Sequence, residues 1–157
     1  MSPGWTVMPS WNRAPPPEFI APCLPTLVDH VPAGPGWLHE LKWDGNRIIA
    51  RKEGWDVKLW SRIGIDWHGT FPVIATVIAA LPTTSLMLDG EAVVLREDGT
   101  ADFYALRSQK GRIEARMIVF DLLEVDGQDT RALPLEERRE RLAAVLDQRA
   151  PPVRISL

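Results

Sequence analysis

Lys42-Trp43-Asp44-Gly45-Asn46-Arg47 brings an amine, a carboxylate and a guanidinium together just ahead of an alternating run. A lysine at the end of a strand holds its amine at the mouth of a sheet. There, burial and neighbouring cations can lower its pKa toward that of a usable nucleophile. Gly45 lets the backbone turn tightly, and Asp44 is in reach to orient the amine or a metal. An ordinary Asp-Gly turn beside a solvated lysine is the plain reading of the same string. Three more strings have this double character: Ser61-Arg62, Leu88-Asp89-Gly90-Glu91, and Phe120-Asp121 inside the apolar run MIVFDLL. Taken singly, Arg62 reads as a surface charge, Asp89-Gly90 as a turn and Phe120 as core.

The elements that must carry these residues follow from the pattern. Nine of the 14 prolines fall within the first 35 residues, which forbids regular helix or central strand there. Residues 1–18 are expected to be a proline-rich arm or linker, and residues 19–36 an extended segment laid over a domain at 19–157. From Trp37 the texture is short alternating runs between turn signals, as in an antiparallel sheet. Trp37–Leu41 reads as a first strand, and 46–52 with 56–60 as a hairpin about Glu53-Gly54. The helical spacing of Phe71, Ile74, Ile78 and Leu81 predicts a helix over 70–81, with Thr70 as N-cap and Pro82 as stop. Residues 86–89 and 91–95 read as strand on either side of Gly90. Asp102–Arg107 reads as a short helical segment and 117–123 as a buried central strand, in which the charge of Asp121 stands out. After Pro134 a second helix is expected, with Leu135, Leu142, Val145 and Leu146 on its inner face, and a further strand begins at Val153.

Composition bounds the function. Lys plus Arg is 18 against 21 for Asp plus Glu, a net charge of -3, which excludes a histone-like or strongly cationic coat protein. The single cysteine, Cys23, cannot form an internal disulfide, and no Cys/His cluster has zinc spacing. No stretch approaches the ~20 apolar residues of a membrane span, and the N-terminus has no signal-peptide core, so a cytoplasmic protein without a membrane partner is expected.

Taken in order, Lys-x-Asp-Gly-x-Arg, Ser-Arg, Asp-Gly-Glu and Phe-Asp-Leu-Leu resemble nucleotidyltransferase motifs I, Ia, III and IIIa of ATP-dependent DNA ligases. The likeness runs from about Pro17 to Ser156. GWLHELKWDGNRIIAR, LDGEAVVLREDGTADFYAL and FDLLEVDGQDTRALPLEERRERLAAVL look like the adenylation domain of the bacterial end-joining type. The resemblance implies an α+β fold, a mostly antiparallel sheet flanked by helices, of the ATP-grasp-like ligase nucleotidyltransferase kind. It also implies that Lys42 attacks the α-phosphate of ATP to become lysyl-AMP, with Mg²⁺ offsetting phosphate charge. Arg47 and Arg62 would meet phosphates or ribose, Glu91 the ribose hydroxyls or a metal-bound water, and Phe120 would stack on adenine. Glu40 would lie beside the adenine edge, its backbone mattering more than its carboxylate. The implied partner is nicked or broken double-stranded DNA, in repair and recombination.

After the strand that begins near Val153 the family pattern continues to motif IV, a Glu-Gly on a later strand, and motif V, a Lys-x-Lys, and neither is present there. The fold is therefore expected to be incomplete at the C-terminus, with a second polypeptide as one source of the missing motifs. A non-catalytic nucleotide- or DNA-binding module is the alternative, and RNA capping or RNA ligation shares the Lys-x-Asp-Gly string. Other residues read plainly. His39 fits strand packing or solvent rather than metal. The seven tryptophans, all within the first 67 residues, fit core and arm packing better than a stacking surface. Arg107, Lys110, Arg112 and Arg116 form a basic patch equally suited to DNA phosphates or to a solvated loop. The charges from Glu136 to Arg141 pair along an outer helix face and need no function.

Overall fold

The computed structural model describes residues 18–146 and 153–155. The expected arm at 1–18 thus lies almost wholly outside the described residues, as does Ser156. The organising element is a six-stranded sheet: β1 (Asn46–Glu53), β2 (Asp56–Ser61), β3 (Ser85–Val93), β4 (Arg116–Val125), β5 (Gln128–Asp129) and β6 (Val153–Ile155). Its order is β2-β1-β3-β4-β5, with β6 beside β4. The β4–β6 pair is parallel and the other described pairs are antiparallel. The α+β, mostly antiparallel architecture is therefore as expected.

The alternation in β1 sorts its side chains between two faces. Ile48 and Ala50 enter the main core with Leu59, Leu88, Ala92, Met117 and Val119. Ile49 faces the other way and packs with Trp60, Met87 and Leu123 beneath Phe19 and Ile20 of the N-terminal segment. Helix α1 (Pro72–Ala79) covers the main core with Ile74 and Ile78, both wholly buried. A two-turn helix is marginal alone, so this packing, worth about 1.5–3 kcal/mol for each large apolar side chain, is what holds it. The helix starts later than its periodicity suggested: Phe71, not Thr70, is the N-cap, it makes no side-chain cap bond, and Pro72 supplies the preset φ of the first turn.

Two further expectations change, and one helix is additional to those expected. Trp37–Leu41 lies in no strand, because among the described residues no neighbouring strand offers its backbone a ladder; Trp37, Leu38 and Leu41 are exposed. Gly90 does not divide two strands. β3 is continuous, and register shifts at Met87/Leu88 and Asp89/Gly90 accommodate the irregularity as bulges. Beyond the short 3-10 helix at Phe103–Arg107, the segment Gln109–Glu114 is a helix (α2), with the Ser108 hydroxyl accepting from the Gly111 N–H at 2.9 Å. Helix α3 (Leu135–Val145) lies where expected and buries Leu142.

Candidate active site

β1, β3 and β4 present one end of the sheet to a cleft of about 890 Å³, a size suited to a small-molecule ligand. Its wall is completed by the segment 37–44, here called the strap, and by the turn after β2. Lys42, Glu40, Arg47, Arg62, Glu91 and Phe120, far apart in sequence, all line it. The registers show how. Arg47 stands opposite Glu91 on β3, and Phe120 falls on β4 between Val119 and Asp121, the partners of Gly90 and Asp89.

The strap ends at Gly45, which is clamped against β3. A Cβ there would lie 2.1 Å from the Ala92 carbonyl oxygen, so no larger residue fits. Gly90 is equally confined: its Cβ would meet the Ile118 carbonyl oxygen at 2.5 Å. These two glycines let the strap and β4 close on the strand that carries Glu91. At the far side Ser61, buried, accepts from the Ile65 N–H at 3.0 Å and ties the turn that carries Arg62.

Electrostatically the cleft is a positive site around two acids. Arg47 donates to Asp89 through Nε (2.6 Å) and Nη2 (2.8 Å), a bidentate pair that raises the arginine's pKa despite its desolvation. Burial pushes the Asp89 carboxyl up, against the pull of Arg47. The Arg47 guanidinium carbon also lies 4.5 Å from the centre of the Phe120 ring, over its face. Burial raises Glu91 to about 7, although Arg47, Lys42 and the Gly45 N–H each favour its charged form.

Asp44 is exposed and makes no ion pair with Lys42 among the described residues. The Glu40 carboxylate is held by Arg139 of α3, which agrees with the expectation that the backbone of this cleft-lining residue matters more than its carboxylate. His39 packs in no strand; it is exposed, as the solvent-facing reading expected, with a ring nitrogen 3.0 Å from the Pro32 carbonyl oxygen. The tryptophans divide, Trp60 being buried and Trp55 82% exposed. Asp121, the odd charge in an apolar strand, is held by Arg138. Of the helix charges expected to pair along an outer face, Glu137 and Arg141 do so, whereas Arg138 and Arg139 reach off the helix to Asp121 and Glu40, because a solvated face and long-range pairs have the same spacing. The Cys23–Pro25 segment, which forms part of the cleft wall, gave no signal in the sequence.

The profile of the ATP-dependent DNA ligase domain matches residues 24–156. The chain belongs to this family. It is 43% identical over 151 residues to the multifunctional non-homologous end joining protein LigD of Pseudomonas aeruginosa, covering 94% of this chain and 18% of that protein. A probable DNA ligase of Anaeromyxobacter is 33% identical over 118 residues, 68% of this chain and 23% of the relative. Among solved structures, the ligase domain of Mycobacterium tuberculosis LigD superposes with a TM-score of 0.61 at 28% identity, covering 75% of this chain and 38% of that one. A mycobacterial DNA ligase D complexed with ATP and MES superposes equally well at 27% identity, over 76% and 38%. The chain thus spans about a fifth of the length of these curated relatives and well under half of the solved ligase chains. Among the described residues no helix is long and apolar enough to cross a membrane.

Proposed function

We propose that this chain carries the nucleotide-capturing step of ATP-dependent DNA strand joining, with Lys42 as the covalent nucleophile. The observation that carries the reading is the meeting, in one cleft, of Lys42, Arg47, Arg62, Glu91 and Phe120 from four separate parts of the chain. In this reading the adenine stacks on Phe120, and Arg47 moves from the ring face it occupies to the ribose or phosphates. Arg62 approaches the phosphates from the opposite wall. The Lys42 amine, after losing a proton to solvent, attacks the α-phosphorus. The new N–P bond forms as the bond from the α-phosphorus to its bridging oxygen breaks, and pyrophosphate leaves with that oxygen. The product is a lysyl-AMP phosphoramidate, to be passed to the 5′-phosphate of broken DNA in repair or recombination.

A magnesium ion fits this cleft only as a shared guest. Among the described residues no three His, Cys, Asp or Glu side chains cluster, and Asp89 is occupied by Arg47. Glu91 remains as one oxygen donor, which matches the way Mg²⁺ is usually held: one or two carboxylates, the rest being phosphate and water. When bound, the ion supplies charge neutralisation to the phosphates. Glu91 and Arg47 orient the nucleotide around it.

The reaction class is tested with ATP labelled at either the α- or the γ-phosphate. Label retained on the denatured chain from the α-position only, with pyrophosphate released, is expected. Retention of γ-label, or of neither, contradicts adenylyl transfer.

A further inference from the structure

Helix α3 directs consecutive arginines at two different parts of the cleft. Arg138 donates from Nε and Nη2 to the two oxygens of Asp121 at 2.7 and 3.0 Å, and from Nη1 to the Leu133 carbonyl at 2.6 Å. Arg139 donates to Glu40, 99 residues away in sequence. Asp121 directly follows Phe120, and Glu40 lies two residues before Lys42. Neighbours on a helix point about 100° apart, so an adjacent pair cannot share one target and is suited to joining two.

Both pairs are drawn in from solvent: the Arg138 and Asp121 side chains are 16% and 22% exposed, and those of Arg139 and Glu40 are 23% and 32% exposed. The strap lies in no helix or strand, and its apolar residues Leu38 and Leu41 face solvent. Gly45, clamped against Ala92, fixes the end of the strap beyond Lys42, and the Arg139–Glu40 pair holds it on the other side. Partly exposed ion pairs contribute little to stability, so orientation is the better account of two such pairs side by side.

We infer that Arg138 and Arg139 are positioning residues, Arg138 holding Phe120 through Asp121 and Arg139 holding the Lys42 strap through Glu40. Helix α3 then sets the distance between the nucleophile and the surface that receives the base. This rests on the roles given above to Lys42 and Phe120. Because a displacement of about 1 Å at a reacting group costs up to a hundredfold in rate, the two arginines should control different kinetic quantities.

The full chain is compared with Arg138→Ala, Arg139→Ala and Arg139→Lys. The first readout is limited tryptic cleavage after Lys42, which needs no catalysis, with cleavage after the exposed Lys110 as internal reference. The second is equilibrium binding of ATP without divalent cation, and the third is the rate of adduct formation at saturating ATP. Arg139→Ala is expected to speed cleavage after Lys42 roughly tenfold and to slow adduct formation by a similar factor. ATP affinity should stay within about twofold, and Arg139→Lys should restore most of both losses. Arg138→Ala is expected to weaken ATP binding roughly tenfold with cleavage after Lys42 unchanged. Unchanged cleavage after Lys42 in Arg139→Ala overturns the strap assignment, as does equal acceleration at Lys110. ATP affinity unchanged by Arg138→Ala overturns the platform assignment. A wild type that binds no ATP and forms no adduct refutes the adenylation reading and the platform with it, while the cleavage result still decides the strap.

Discussion

Glu91 shows how much of this site is built by environment rather than by residue type. Its carboxyl is raised to about 7 because burial penalises the charged form more than Arg47 and Lys42 favour it. Between its ordinary value of 4.5 and about 7 the folded state therefore binds more protons than the unfolded state. Stability then falls as pH rises: the penalty is absent below the ordinary value, grows through that window and is complete above it. Glu91→Gln removes the titration. Thermal unfolding of the two proteins from pH 5 to pH 8 should show a steeper loss for the wild type. By pH 8 the variant should be the more stable by about 1 kcal/mol, after allowance for solvent screening, while adduct formation falls. Parallel curves would mean that Glu91 is solvated and ordinary. At this scale the sequence was informative through the joint order of its motifs rather than through any one residue. Lys42 before Asp44-Gly45, Glu91 after a glycine and Phe120 in an apolar strand all reach the cleft wall. It assigned Arg138 and Arg139 to an outer helix face, since a solvated helix face and a pair of long-range clamps are written with the same letters.

Among the elements, those whose stability comes from local periodicity were legible and those defined by distant partners were not. The β1–β2 hairpin, α1 and α3 follow from periods of two and 3.6. The strap does not: WLHEL is a short, partly apolar run like that of a strand, yet strand structure requires a neighbour, and the place beside β3 is taken by β1. The same limit hid the continuity of β3, because a glycine in an alternating run reads alike as turn and as bulge. Gly45 joins the strap to the sheet with no room for a methyl group. Gly45→Ala is therefore expected to cost about 1–3 kcal/mol, as overpacking does, and to move Lys42 off its position. Denaturant unfolding and adduct formation should both register it, the second more severely. An alanine variant of wild-type stability and rate would show that the strap is not seated against Ala92.

For the whole molecule, the sheet divides labour between its faces. One face is closed by α1 and the apolar core around Ile74, Ile78 and Leu88, which gives β1, β3 and β4 a rigid frame. The other face is only partly covered, by Phe19 and Ile20, and its remaining end forms the cleft. A net charge of -3 is no obstacle to handling a polyphosphate, because Lys42, Arg47 and Arg62 concentrate positive charge where the phosphates would lie. The central claim is that this frame makes Lys42 a covalent acceptor of AMP. It is tested most directly by intact-mass and fragment-ion mass spectrometry of the wild type and Lys42→Ala after incubation with ATP and Mg²⁺. The account predicts one AMP adduct on the wild type, located at Lys42, and none on a folded Lys42→Ala. An adduct on another lysine, an adduct surviving in the variant, or none on a folded wild-type chain would contradict it.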